Sequence, residues 1–88
     1  MKTTFRNSFL RDVERIRDKQ LLSRLRQVIV QLENAKSPSS IPKLKQLKGE
    51  KNHFRIRIGE YRLGLKLQTD AVTVVRFLHR KEIYRYFP

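Results

Sequence analysis

The sequence predicts an α+β fold in which an N-terminal helical hairpin covers one face of a small antiparallel β-sheet. Apolar residues recur with a helical period of 3.6 between Phe9 and Leu32. A loop containing Pro38 and Pro42 ends that pattern, and from Leu44 onward apolar and polar residues alternate with the period of two typical of strands. Because 88 residues can bury one modest core, residues 1–88 are expected to form a single domain.

Two amphipathic helices are expected after residues 2–5, which could form a short edge strand. Asn7 or Ser8 can cap the first helix and Asp18 the second, because their side-chain oxygens can accept the free N–H groups of a first turn. A short break between the helices predicts a helical hairpin. The two apolar stripes, which we assign to the core rather than to a partner surface, consist of Phe9, Val13 and Ile16 and of Leu21, Leu22, Leu25, Val28, Ile29 and Leu32.

The second half is expected to form an antiparallel meander. Gly59-Glu60 lies between two alternating segments, residues 54–58 and 61–67, and a two-residue turn with glycine first is typical of a type II′ hairpin. This turn fixes the register of the hairpin. Its predicted cross-strand pairs are Ile58 with Tyr61, Arg57 with Arg62, Ile56 with Leu63 and Arg55 with Gly64.

The third strand, residues 72–79, has two alternative registers. If Val72 pairs with Leu67, Arg76 points toward the core. We prefer a turn that is one residue longer, because burying an unpaired arginine is costly. In that register Val75 and Phe77 point inward. Arg76 and Arg80 then lie on the open face, beside Arg62.

The charge of the chain favours a polyanionic partner. Twenty-one Lys and Arg against eight Asp and Glu give a formal net charge of +13, which indicates a nucleic acid. The chain contains no cysteine, which excludes disulfides and thiolate metal sites. Neither a signal peptide nor a membrane span is recognisable, so we expect a cytoplasmic protein that does not bind membranes.

The open face of the predicted hairpin is a candidate phosphate-binding surface. It presents Arg55, Arg57, Arg62 and Lys66, with Gly64 leaving space beside Arg55. Like charges that face each other across a strand pair are destabilising, so the predicted pairing of Arg57 with Arg62 indicates that these side chains serve a function rather than the stability of the fold. The planar fork of arginine binds phosphate oxygens in pairs and keeps its charge. The candidate RNA-binding residues are therefore Arg55, Arg57, Lys66 and Arg76.

The C-terminal segment supplies further candidates. One helical turn would bring Arg80 and Tyr84 to the same side, because they are four residues apart. Tyr84, Tyr86 and Phe87 could stack on a base, although Ile83 and Phe87 could instead anchor the segment.

Three segments together resemble the RelE/ParE superfamily of toxins from type II toxin–antitoxin modules. They are Leu47-Lys48-Gly49, the hairpin segment from Phe54 to Leu63, and His79-Arg80-Lys81-Glu82-Ile83-Tyr84-Arg85. The resemblance implies a microbial RNase-type fold that uses no metal or cofactor. It implies mRNA cleavage on the ribosome for RelE-like members, and inhibition of DNA gyrase for ParE-like members, which lack the catalytic set.

The positions that act on the phosphate in RelE-like toxins match Arg55, Arg57, Arg62, Arg80 and Tyr84, so the resemblance favours an endoribonuclease. In the best-known members the first two positions are lysines. Arginine is a poor general base at neutral pH, so His79, or alternatively Tyr84, is the candidate for proton transfer. The catalytic residues predicted in this way are Arg62, Arg80, Tyr84 and His79.

The resemblance also implies partners. A small, acidic, partly disordered antitoxin is expected to cover the basic face in a hetero-oligomer, and mRNA and the ribosome are the expected targets. A gyrase inhibitor of the ParE type and a non-catalytic RNA-binding module remain the alternatives.

Overall fold

A five-stranded mixed sheet organises the chain in the computed structural model, which describes residues 1–88. The strand order is β1-β5-β4-β3-β2, with β1 parallel to β5 and every other pair antiparallel. The elements in chain order are β1 (Lys2–Phe5), α1 (Asn7–Glu14), α2 (Lys19–Asn34), a 3₁₀ turn (Pro38–Ser40), β2 (Leu44–Gln46), β3 (His53–Ile58), β4 (Tyr61–Gln68), β5 (Ala71–His79) and α3 (Ile83–Tyr86). The α+β class and the short edge strand considered for residues 2–5 are confirmed, but that strand pairs in parallel with β5, which makes the sheet mixed rather than antiparallel.

Helices α1 and α2 cover one face of this sheet. The prediction for Asp18 is confirmed, because its carboxylate accepts the N–H groups of Gln20 and Leu21 at 3.0 and 3.1 Å. The predicted cap of α1 is wrong: Arg6 holds that position without a side-chain bond. No helix is both long and apolar enough to span a lipid bilayer. The buried side chains of this layer are Phe9, Leu21, Leu25, Leu32, Ile56, Ile58, Leu63, Leu65, Leu67, Val72, Val74 and Phe77, with Ala35 and Ile41 at the margin.

Helix α1 also covers the part of the β5 edge that the short strand β1 does not reach. The backbone N–H of Arg6 donates to the carbonyl of Val74 at 2.9 Å. Further along the edge, the buried carboxylate of Asp12 accepts the N–H of Phe77 at 2.9 Å. The hydroxyl of Ser8, which was expected to cap α1, instead donates to a β5 carbonyl at 2.6 Å. These three bonds pair the backbone groups of Val74, Val75 and Phe77 along this edge.

The central hairpin forms as predicted. Strands β3 and β4 pair Arg57 with Arg62 and Arg55 with Gly64, in the expected register throughout. Gly59 has a φ of +60° at the first turn position, a conformation that glycine adopts without steric cost. The hydrophobic alternation and the turn therefore agree, which is why the sequence specified this register.

A β-bulge resolves the two alternatives for β5. Near the turn, Leu67 pairs with Val72, as in the first alternative, but the register shifts between Gly64 and Leu65. Phe77 then faces the helices as preferred, pairing with Leu63. The prediction for Val75 is wrong, because the bulge turns it to the open face. One extra residue in β5 thus lets both ends of the strand bury apolar side chains.

A second, smaller apolar cluster lies on the open face and anchors the C-terminal segment. Leu47, Ile83 and Phe87 are buried there, with Val75 and Leu78 packed against them. The anchoring role considered for Ile83 and Phe87 is confirmed. The prediction that Gly64 leaves space beside Arg55 is wrong. A Cβ at Gly64 would lie 2.9 Å from the Phe87 ring, so the missing side chain admits this aromatic ring.

Candidate phosphate-binding site

Three arginines converge on the open face at the turn end of the central hairpin. Arg57 and Arg62 face each other across β3 and β4, and Arg55 lies next along β3, opposite Gly64. Period-two alternation puts all three side chains on the face opposite the helices. The two strands thus bring like charges together, as the sequence predicted.

The guanidinium of Arg62 is held by the turn itself. Its Nη1 donates to the carbonyl oxygens of Gly59 at 3.1 Å and Tyr61 at 3.0 Å. Burial lowers the pKa of Arg62 from its usual value, and the neighbouring charges of Arg57 and Arg55 lower it further. The direction follows because desolvation and like charges both disfavour the cationic form. The negative charge of a bound phosphate would offset both effects, because it favours the cationic form.

The C-terminal segment adds two groups to this cluster. Arg80 lowers the pKa of Arg62 and Tyr84 raises it, so both lie within electrostatic range of the Arg62 guanidinium. Arg80 is fixed by its backbone N–H, which donates to the carbonyl of Glu60 at 2.8 Å. The Tyr84 side chain is 58% exposed and is free to meet a ligand. We call Arg55, Arg57, Arg62, Arg80 and Tyr84 the arginine cluster.

A cleft of about 500 Å³ adjoins the arginine cluster and extends it beyond the hairpin. Neither acidic nor apolar side chains line this cleft. It includes three basic residues that sequence reasoning missed, Arg24 of α2 and Lys43 and Lys45 near β2. Arg24 lies between the apolar positions of α2 in the sequence, and only the packing of α2 beside the hairpin turn reveals its location. The cleft is chemically suited to a polyanion.

His79 is not part of the arginine cluster. It pairs with Tyr61 on the helix-covered face, and the two rings lie 5.7 Å apart in an edge-on arrangement. Its Nδ1 accepts the backbone N–H of Lys81 at 3.1 Å. Because Arg62 pairs with Leu78, the next residue of β5, His79, points to the opposite face, so the structure does not bring this candidate for proton transfer to the arginine cluster.

Arg76 and Lys66 also lie apart from the arginine cluster. The guanidinium of Arg76 binds both carboxylate oxygens of Asp12, at 2.8 and 2.9 Å, and lies 5.3 Å from the centre of the Tyr86 ring. Its charge is thus used within the fold, which corrects the expected RNA-binding role. Lys66 faces the open side but pairs with His53, on the far side of Gly64 from Arg62. The ring of Phe87 occupies the space over Gly64.

An apolar groove of about 570 Å³ separates α1 from α2 on the opposite side of the molecule. The stripe residues Phe9, Leu21, Leu25 and Leu32 are buried in the core, as expected. Leu10 and Val30, which lie outside the predicted stripes, are each 47% exposed along this groove. Exposed apolar surface of this kind is typical of a protein-binding site.

The sequence and the fold are similar to those of known toxins. Residues 4–84 match the family model described as the ParE toxin of the type II toxin–antitoxin system parDE. Toxin RelE3 of Methanocaldococcus jannaschii is 35% identical over 89 residues, which span 100% of both chains.

Solved structures agree with this match. A chain of the RelB–RelE antitoxin–toxin complex from Methanococcus jannaschii superposes with a TM-score of 0.80 and 34% identity, covering 97% of this chain and 99% of that one. The YoeB dimer from Staphylococcus aureus has the same fold, with a TM-score of 0.69 at 18% identity over 86% of this chain and 92% of its own. The chain therefore belongs to the RelE/ParE superfamily of toxins of type II toxin–antitoxin systems.

Proposed function

We propose that this toxin is a metal-independent endoribonuclease that cleaves mRNA on the ribosome and so inhibits translation. One observation carries the proposal. Three guanidinium groups and one phenol lie around the guanidinium of Arg62, beside a cleft without acidic lining. Such a cluster is costly to a folded protein unless a phosphate occupies it, and arginine pairs stabilise the charge that develops at a reacting phosphate.

The proposed reaction is an internal transfer at one phosphate of the RNA backbone. The ribose 2′-oxygen attacks the adjacent 3′-phosphorus, and the bond from phosphorus to the 5′-oxygen of the next nucleotide breaks. The 2′-hydroxyl loses a proton, and the departing 5′-oxygen gains one, so that a cyclic phosphate and a 5′-hydroxyl result. Arg62 and Arg80 stabilise the charge on the phosphoryl oxygens, while Arg55 and Arg57 hold the backbone in line.

Tyr84 is the proposed partner in proton transfer. With His79 on the opposite face of the sheet, the phenol is the one group of the arginine cluster that is not a guanidinium. Its exposure leaves the ring free to stack on a base while its hydroxyl approaches the reacting oxygen.

A cognate antitoxin is the proposed protein partner, bound in a toxin–antitoxin hetero-oligomer. The net charge of +13 favours an acidic chain, and the groove between α1 and α2 offers apolar surface for an ordered segment of it. The related toxin from Methanococcus jannaschii was solved with RelB, which supports a partner of this kind.

A translation extract tests the proposal. We expect the purified protein to cut messenger on ribosomes, and expect Arg62→Ala and Arg80→Ala to lose this activity while staying folded by circular dichroism. Arg26→Ala is the matched control, because it removes an exposed charge that lines the apolar groove on the other side. Intact messenger with the unaltered protein, or full activity in both cluster variants, contradicts the proposal.

The matching family model is that of the ParE toxin, and the resemblance to ParE-like members implies a second activity to test, inhibition of DNA gyrase. A supercoiling assay distinguishes the two functions. Loss of gyrase activity together with intact messenger would favour the gyrase inhibitor. Tight binding of RNA without cleavage on or off the ribosome would favour a non-catalytic binding module.

A further inference from the structure

The basic surface continues around the free edge of β3 and onto α2. Strand β2 pairs with β3 no further than Ile56, so Arg57 and the turn extend beyond it. A second groove of about 190 Å³ follows this edge, between the turn end of β3 and α2. Arg24, Lys43 and Arg57 line both the cleft and this groove, which makes the two continuous.

The absence of a side chain at Gly59 lets the guanidinium of Arg24 pack against the hairpin turn. Its Nη1 lies 3.0 Å from the position that a Cβ on Gly59 would occupy, so a side chain there would push the guanidinium away. The glycine thus serves both the turn conformation and the close approach of α2. On the other rim, Lys43 takes a φ of +61° in the bend that leads into β2. These two cations flank the edge from opposite sides.

The lining of this continuous groove fits a nucleic acid strand. No acidic side chain lines either part of it. Gln27 and Gln31 lie one helical turn apart on α2 and line the second part, where their amides can donate to and accept from sugars or bases. A duplex is too stiff to follow such a sharp edge, whereas a single strand can turn around it.

We propose that Arg24, Lys43 and Lys45 form a second phosphate subsite, which binds a phosphate flanking the one held by the arginine cluster. The occupant is single-stranded RNA that leaves the open face across the β3 edge. The inference rests on the proposed function in one respect, that RNA occupies the arginine cluster. It adds a specific path for the strand and a role for α2, which contributes nothing to the cluster itself.

The test is a binding cycle that involves no cleavage. The probes are short 2′-O-methyl RNA strands, which lack the attacking hydroxyl, with every phosphate charged or with one flanking phosphate replaced by a neutral methylphosphonate. Each probe is titrated against the unaltered protein and against R24Q/K43Q/K45Q. The matched control is R26Q/K48Q/K51Q, which also removes three exposed cations, but none of those in the groove.

We expect neutralising one flanking phosphate to weaken binding to the unaltered and control proteins on the order of tenfold, the size of one charge-assisted hydrogen bond. The groove variant should bind both probes equally. Its slope of log K against log salt should also be shallower by about 0.7 for each RNA phosphate that it no longer neutralises.

Three outcomes would overturn the subsite. The groove variant could remain as sensitive to the methylphosphonate as the unaltered protein, or the control could lose the same sensitivity. An acidic peptide could instead bind at Arg24 and Lys43 while the RNA probe does not, which would assign the groove to a protein partner. The proposed function is tested separately. If messenger stays intact in the extract but the probe affinities change as expected, the subsite is supported and the nuclease activity is contradicted.

Discussion

Glu60 and Arg80 join the hairpin turn to the C-terminal segment through two bonds. The Arg80 Nε lies 2.7 Å from the Glu60 Oε2, and the backbone N–H of Arg80 donates to the backbone carbonyl of Glu60 at 2.8 Å. Both side chains are more than half exposed, 57% for Arg80 and 62% for Glu60. The backbone bond therefore fixes the position of Arg80, while the exposed ion pair leaves its guanidinium exchangeable. A phosphate can take the place of the carboxylate.

Glu60→Gln should strengthen RNA binding, because it removes the one acidic side chain that pairs with the arginine cluster. We expect affinity to rise roughly threefold, the effect of one exposed charge. Fluorescence anisotropy with a non-cleavable RNA measures this change. Glu14→Gln, which alters a carboxylate beside the apolar groove, should leave affinity unchanged. Weaker binding by Glu60→Gln would mean that the carboxylate positions Arg80 rather than competing with phosphate.

Asp12→Ala should destabilise the fold by about 3–5 kcal/mol, because it leaves Arg76 without its ion-pair partner and the Phe77 N–H without an acceptor. Urea unfolding measures the change in the free energy of unfolding. Asp18→Ala provides the comparison, since loss of a helix cap costs about 1 kcal/mol. Equal effects of the two substitutions would contradict the structural role given to Asp12.

Gly64→Ala should detach the C-terminal segment, because the new Cβ would overlap the Phe87 ring. We expect a cost of about 1–3 kcal/mol and faster hydrogen exchange at residues 83–87. Cleavage should fall more than RNA binding, since the hairpin arginines remain in place. Adding Phe87→Leu should partly restore both exchange protection and cleavage. Independent, additive effects of the two substitutions would contradict this packing of Phe87 on Gly64.

Arg57→Gln should raise thermal stability while weakening RNA binding, because it removes one of two like charges that face each other. Relief of a cross-strand repulsion is worth about 0.5 kcal/mol, which corresponds to roughly 2–4 °C in Tm for a domain of this size. The gain should disappear in about 1 M NaCl, where the Debye length is about 3 Å. A gain that persists at high salt would point to a cause other than charge.

His79→Asn should leave cleavage nearly unchanged, because this side chain lies on the helix-covered face. The Asn oxygen can accept the Lys81 N–H as the imidazole Nδ1 does, so the local backbone is kept. Tyr84→Phe removes the proposed proton-transfer group and should lower the cleavage rate by about 10²–10⁴. Single-turnover rates on ribosomes compare the two. A larger loss of cleavage rate in His79→Asn than in Tyr84→Phe would indicate that His79, rather than Tyr84, transfers the proton.

The parts of the site that the sequence predicted depend on local rules. Gly59-Glu60 fixed the hairpin register, and that register fixed the pairing of Arg57 with Arg62. The bulge in β5 was missed because it depends on how Val75 and Phe77 divide between two apolar layers, which only the folded C-terminal segment creates. Its effect was to reverse the expected position of Val75, while Phe77 kept the predicted face.

Other residues could not be placed because their partners are distant in the chain. Arg24 belongs to the cleft through its approach to Gly59, and Gly64 is required by Phe87. Arg76 appeared available for RNA because its partner, Asp12, is 64 residues away in the chain. Tertiary packing, rather than local pattern, decides each of these cases.

Because α1 covers the β5 edge, a further strand cannot pair with the sheet there. β5 is the longest strand, with nine residues, and β1 pairs only with its first four. An uncovered remainder would be a template for adding a strand from a second copy, as exposed edges are in aggregating proteins. Asp12 and Ser8 occupy that template with side chains, so one buried carboxylate protects the protein from self-association as well as from unfolding. A partner that adds a strand to this sheet must therefore do so at β1 or β2.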